Sequence, residues 1–239
     1  MIASLAYAAV AGLATLIGGF IVTAGAARRE LPVKVLVGFG GGFMLAVALL
    51  EMLPAGMRAA HGLSAVLIGY LAVHLTQHTM TPHFHFGEET HADLMSSRGV
   101  GVWALVGLLP HNFFDGVAIA SGVAASAELG LLVFLAVLLH KVPTGVSLAS
   151  VMMASGNSAQ TTISAVSITG AATILGALVT PVVAPLAEYG LALSAGVTIY
   201  VAASNLIPEA QHEPGWKIPG AVFLGVVAFW FTRLLLPGH

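Results

Sequence analysis

Eight stretches of this 239-residue chain are each apolar over about the twenty residues needed to cross the ~30 Å hydrocarbon layer of a membrane. They run roughly Ile2–Ala26, Val33–Leu53, Leu63–Met80, Gly99–Ala124, Leu129–Met153, Thr162–Pro185, Ala192–Ile207 and Ile218–Leu236. Lipid offers no hydrogen-bond partners, so each spanning segment must bond its own backbone, and runs of this length do so as α-helices. The expected fold is therefore an all-α integral membrane protein, with residues 1–239 forming a single transmembrane domain. Only 8% of the residues are charged, against about 25% in soluble domains. The net charge of −2 gives no ground for nucleic acid as a partner, and the absence of cysteine excludes disulfides and thiolate metal sites. The first apolar run lacks a basic start and is too long for a cleaved signal, so it reads as the first spanning helix.

Lysine and arginine orient the bundle. Arg28, Arg29, Lys34, Arg98 and Lys217 lie with the odd-numbered loops, against Arg58 and Arg233 on the other side. The odd loops are expected in the cytoplasm, and both termini on the extracellular or periplasmic side of a cell membrane crossed many times. Val47–Pro54 of helix 2 echoes Val201–Pro208 of helix 7, with Glu51 aligned to Asn205. Helices 2 and 7 should run in opposite directions, so the echo suggests an inverted repeat, helices 1–3 and 6–8, around helices 4 and 5.

The middle of helices 4 and 5 holds residues that lipid disfavours. They read Pro110-His111-Asn112-Phe113-Phe114-Asp115-Gly116 and His140-Lys141-Val142-Pro143-Thr144-Gly145. An ionisable group at this depth costs about 2.5–3.5 kcal/mol and is retained for a partner, a water-filled cavity or a transported ion. His111 and Asp115 share a helix face at i and i+4, with Asn112 beside Asp115, and His140 and Thr144 repeat the spacing. Both motifs fall about 18–20 Å along their helices, so antiparallel neighbours bring them to one depth. Pro143 cannot donate and frees the carbonyl of Leu139, which is expected to offer a further oxygen. Imidazole with carboxylate suits Zn²⁺, Fe²⁺ or Mn²⁺ better than Na⁺ or an organic solute. The plainer alternative is a structural network with Lys141 paired to Asp115, but four such residues beside a proline favour transport.

These motifs resemble the ZIP family of zinc- and iron-regulated-transporter-like proteins, and the subgroup with His-Lys-x-Pro on helix 5. The resemblance spans nearly the whole chain, with the eight helices, their orientation, the helix 3–4 histidine loop and Ile207-Pro208-Glu209 all agreeing. It implies an eight-helix bundle that moves divalent metal, with His111, Asp115 and His140 as principal ligands. It implies that Met44 lends a thioether and that Thr144 stands where many members have glutamate. A second metal in the family uses Asn112, the residue after the helix 5 histidine and an acid before the helix 6 proline, here Lys141 and Thr180. A lysine offers only donors and positive charge, so one metal is expected, with the Lys141 ammonium in place of the second.

Glu51 is expected to line the outer entrance, and Glu209 with His212 the exit, helped by Asn205. Residues 81–96 read as a His-rich cytoplasmic loop in which His83, His85 and His91 collect metal. The expected cargo is Zn²⁺ first, with Fe²⁺, Mn²⁺ or Cd²⁺ open, and no prosthetic group. The expected partners are that ion and the lipid bilayer; a homodimer is left open. The competing reading is a membrane-embedded histidine-box metalloenzyme, built on His74-x-x-x-His78, but paired-histidine boxes and His-Glu-x-x-His are absent.

Overall fold

Backbone chemistry decides where each apolar run turns. The computed structural model describes residues 1–25, 30–80, 98–210 and 215–236. Among them the elements are helical: α1 (Ile2–Thr23), α2 (30–56), α3 (Gly62–Met80), α4 (Arg98–Ala125), α5 (Ala127–Ala154), α6 (Ala159–Val179), α7 (184–210) and α8 (Lys217–Leu235). Ser126 and Ser158 cap α5 and α6, accepting from the N–H of Leu129 at 3.0 Å and Thr161 at 3.1 Å. Seven of these helices are long and apolar enough to cross a membrane. The remaining one, α3, is diluted by His74, Thr76, Gln77 and His78 in its last turns.

One boundary differs from expectation. Helix 6 stops at Val179 and helix 7 begins at Ala184, whereas the apolar run continues unbroken to Pro185. Pro185 sits in the first turn of α7, where a missing N–H costs nothing, so the proline starts the next helix instead of ending the last.

The echo between helices 2 and 7 is a backbone feature. Each helix widens into one π turn, Ala48–Met52 in α2 and Val201–Leu206 in α7. The N–H of Leu53 bonds the carbonyl of Ala48, and the N–H of Ile207 bonds that of Ala202. Pro54 and Pro208 follow directly. A proline cannot return a hydrogen bond and crowds the carbonyl four residues back, and the wider turn accommodates both.

The same duplication governs packing. Exchanging α1 with α6, α2 with α7, α3 with α8 and α4 with α5 turns the observed contact α1–α5 into α4–α6, α2–α8 into α3–α7, and α2–α5 into α4–α7. Glycines mark the crossings: Gly18 with Gly145, Gly116 with Gly176, Gly42 with Gly225, and Gly69 with Gly196. At each, a Cβ would collide with a carbonyl of the facing helix. Without a hydrophobic driving force inside lipid, such backbone-close contacts supply the adhesion. They join α1 to α5, α4 to α6, α2 to α8 and α3 to α7; the contacts of α1 with α6, α4 with α5 and α2 with α7 complete one group of α1, α4, α5 and α6 and another of α2, α3, α7 and α8.

Gly145→Ala would push its methyl into the Thr15 carbonyl and is expected to cost about 1–3 kcal/mol. Gly38→Ala, whose nearest neighbour would lie at 3.4 Å, should be neutral or slightly stabilising. Unfolding midpoints of the two variants in detergent check the contrast.

Candidate functional site

The glycine crossing of α4 over α6 and the contact of α4 with α5 bring the two polar motifs face to face. The offset that relates Gly116 to Gly145 also relates His111 to His140, so the histidines are equivalent positions of the repeat. Their rings lie 5.4 Å apart, centre to centre. Asp115 stands between them, with Oδ2 3.5 Å from His111 Nε2 and 3.2 Å from His140 Nε2. One ligand atom from each of the three residues lies within 4.8 Å of the other two.

His140 Nδ1 lies 3.0 Å from the carbonyl of Ala136, which can only accept. That contact puts the ring proton on Nδ1 and turns the lone pair of Nε2 toward Asp115. A lone pair facing a carboxylate oxygen at 3.2 Å is repulsive until a proton or a metal ion lies between them. Nδ1 of His111 is buried and has no hydrogen-bond partner. The cluster is thus a set of oxygen and nitrogen donors converging out of water, with His111, Asp115 and His140 at most 3% exposed.

Lys141 is fully buried on the other side of Asp115. Its ammonium donates to Asp115 Oδ2 at 2.7 Å, to Thr173 Oγ1 at 2.9 Å and to Asn112 Oδ1. Three donors meet three acceptors, which satisfies the ammonium. Asn112 is fixed in turn by donating from Nδ2 to the carbonyl of Leu108 at 2.8 Å. The α6 residue that reaches this point is Thr173, which the sequence did not single out; the resemblance pointed only to Thr180, standing where the family has an acid. Thr180 sits at the end of α6 and donates to the carbonyl of Gly176. The available signal was the spacing of Thr169, Thr173 and Gly176 along one face of the helix.

The other expected residues lie elsewhere. Thr144 donates to the carbonyl of His140 at 2.8 Å. The carbonyl of Leu139 faces Gly40 of α2. Met44 is buried one turn further along that helix. Glu51, in the π turn of α2, pairs with Arg233 of α8 at 3.0 Å. Asn205, its counterpart in α7, donates to Gln77 of α3 at 3.0 Å. On α3 the rings of His74 and His78 lie 4.2 Å apart. The side chain of Glu209 and all of His83, His85, His91 and His212 lie outside the described residues.

The ZIP zinc transporter family model matches residues 71–231. A zinc transporter ZupT of Shigella dysenteriae serotype 1 is 31% identical over an alignment covering 95% of this chain and 94% of the relative. ZupT of Escherichia fergusonii is 32% identical over the same shares, and ZupT of Escherichia coli O7:K1 is 31% identical.

Removing the ammonium would leave Asp115 as an uncompensated buried charge. Lys141→Ala is therefore expected to lower the stability of the metal-free protein by about 3–5 kcal/mol. Adding Asp115→Asn to Lys141→Ala should recover much of that loss, read from unfolding midpoints in detergent with a chelator present.

Proposed function

The chain belongs to the ZIP family, and we propose that it carries a divalent transition-metal ion, zinc first, toward the cytoplasm through one intramembrane site. The observation that carries this reading is the convergence of His111, Asp115 and His140 lone pairs at a buried point. An imidazole–carboxylate set of this kind accepts Zn²⁺ and, by the same chemistry, Fe²⁺, Mn²⁺ or Cd²⁺. In this reading the ion is cargo, and no prosthetic group is required.

The second position of the site belongs to Lys141. Its ammonium uses Asn112 and shares Asp115 with the cargo, so a second dication would meet a positive charge at close range. A fixed cation beside the site weakens binding, which favours release. Met44, from the other helix group, completes the coordination with a soft thioether as α2 approaches α5. Thr144 orients the His140 turn through its bond to that carbonyl.

All the principal ligands ride on α4 and α5, within the group α1, α4, α5 and α6. Rocking of this group against α2, α3, α7 and α8 would expose the cluster to each side in turn. With both termini outside, an inside-negative potential draws a dication inward by about 4.6 kcal/mol per 100 mV, at ~2.3 kcal/mol per charge. Glu209 and His212 would receive the ion at the inner end, and His83, His85 and His91 would hold or sense it in the 81–96 loop. The relatives are named as zinc transporters, which favours carriage over the metalloenzyme alternative.

In sealed proteoliposomes, zinc influx should fall to background in Asp115→Ala and in His111→Ala combined with His140→Ala. Metal analysis of the purified protein with histidines 83, 85, 91 and 212 replaced should give one ion per chain, and Lys141→Asp should raise it to two. Influx that survives loss of Asp115, or two ions in the protein with Lys141 intact, would overturn the respective claim.

A further inference from the structure

A cavity of roughly 670 Å³ opens at the end of the bundle where α4 turns into α5. It lies between the two helix groups, bordered by Ser4 of α1, Ala59 beyond α2, Ser121 of α4, Thr180 at the end of α6 and Leu191 of α7. Arg58 and Glu188, of opposite charge and both exposed, stand at its rim. They offset each other, so charge alone does not gather ions there. Apart from Met1 and Leu191, the rest of the lining is made of small residues and hydroxyls.

One hydroxyl is out of the ordinary. Ser121 is 8% exposed and its Oγ has no hydrogen-bond partner in the protein. Many hydroxyls in these helices turn back to the carbonyl four residues earlier, as in Ser167, Thr169, Thr180 and Thr232; Thr162 Oγ1 is also buried without a partner, but it does not line the cavity. Ser121 instead points across to α7, into a gap left by Gly190. A Cβ on Gly190 would sit 2.5 Å from Ser121 Oγ and 3.0 Å from Val117 Cγ1. A buried hydroxyl without a partner costs free energy unless water or a ligand meets it. Ser121 lies six residues past Asp115, about 9 Å along α4 and nearer the cavity.

We propose that this cavity is the vestibule for the hydrated divalent cation, and that the Ser121 hydroxyl, in the Gly190 gap, is the polar step between it and the buried cluster. The inference rests on the transport reading above and adds a residue to it. The hydroxyl meets the water shell of the cation where α4 faces α7, the seam between the two helix groups. Val117 closes that seam below it, which keeps the cluster dry until the groups move.

The test uses the full chain in proteoliposomes. Ser121→Ala should raise the KM for zinc by about five-fold with kcat within two-fold, the equivalent of one neutral hydrogen bond, and Ser121→Thr should stay near the parent. Ser121→Cys gives the molecule its only thiol, because the chain has no cysteine. A cationic methanethiosulfonate added on the cavity side should label it and stop uptake. Parent-like kinetics in Ser121→Ala, equal defects in the Ala and Thr variants, or a thiol that does not label would each overturn the proposal. Labelling does not depend on the buried ligands. Uptake that survived Asp115→Ala would therefore end the assignment of the buried cluster as the transport site while leaving the cavity's access established.

Discussion

The ion pair between Asp115 and Lys141 is the contact on which the centre of this protein depends. Each group is buried, and each would be intolerable there alone; together, at 2.7 Å, they leave a cluster in which the charges cancel. The pair is held by α4, α5 and α6 at once, through Asn112, Lys141 and Thr173. A cation entering the cluster must share an oxygen that already accepts from an ammonium. In the proposed function, the carboxylate that pairs with Lys141 would limit how tightly an ion could be held, a useful property in a carrier.

Duplication explains why there is one such centre. The contacts repeat under exchange of the two halves, the glycine crossings come in matched pairs, and His111 and His140 occupy equivalent positions. Around these histidines the halves have diverged: Asn112 corresponds to Lys141, and Asp115 to Thr144. One half supplies the negative charge and the other the positive. The same divergence appears near the helix ends, where Glu51 with Arg233 is an ion pair and its counterpart, Asn205 with Gln77, is a neutral hydrogen bond. A symmetric pair of carboxylates would have offered two dication sites; in the proposed function the asymmetric arrangement takes one.

The two kinds of helix contact divide the labour. Glycine-lined crossings lock helices within each group, since backbones in contact cannot slide without collision. Between the groups, α2 meets α5 at Gly40 at an ordinary van der Waals distance, and α4 meets α7 at Gly190 through the side chains of Ser121 and Val117 instead of interlocked carbonyls. The cluster of His111, Asp115 and His140 rides on one group, and the cavity lies on the seam.

The sequence by itself determined the helical class, because lipid permits no other way to satisfy the backbone of so many long apolar runs. It determined the pairing of His111 with Asp115, because spacing on a single helix is a local property. The echo of Val47–Pro54 in Val201–Pro208 was legible for the same reason, although its expression as two π turns was not. Only the tertiary structure decided that Thr173, not Thr180, meets Lys141, that Glu51 turns to Arg233, and that Ser121 faces an opening. Each of those contacts joins residues from different helices. Which faces meet is set by the glycine crossings and the duplicated packing, a property of the assembled bundle that no single segment encodes.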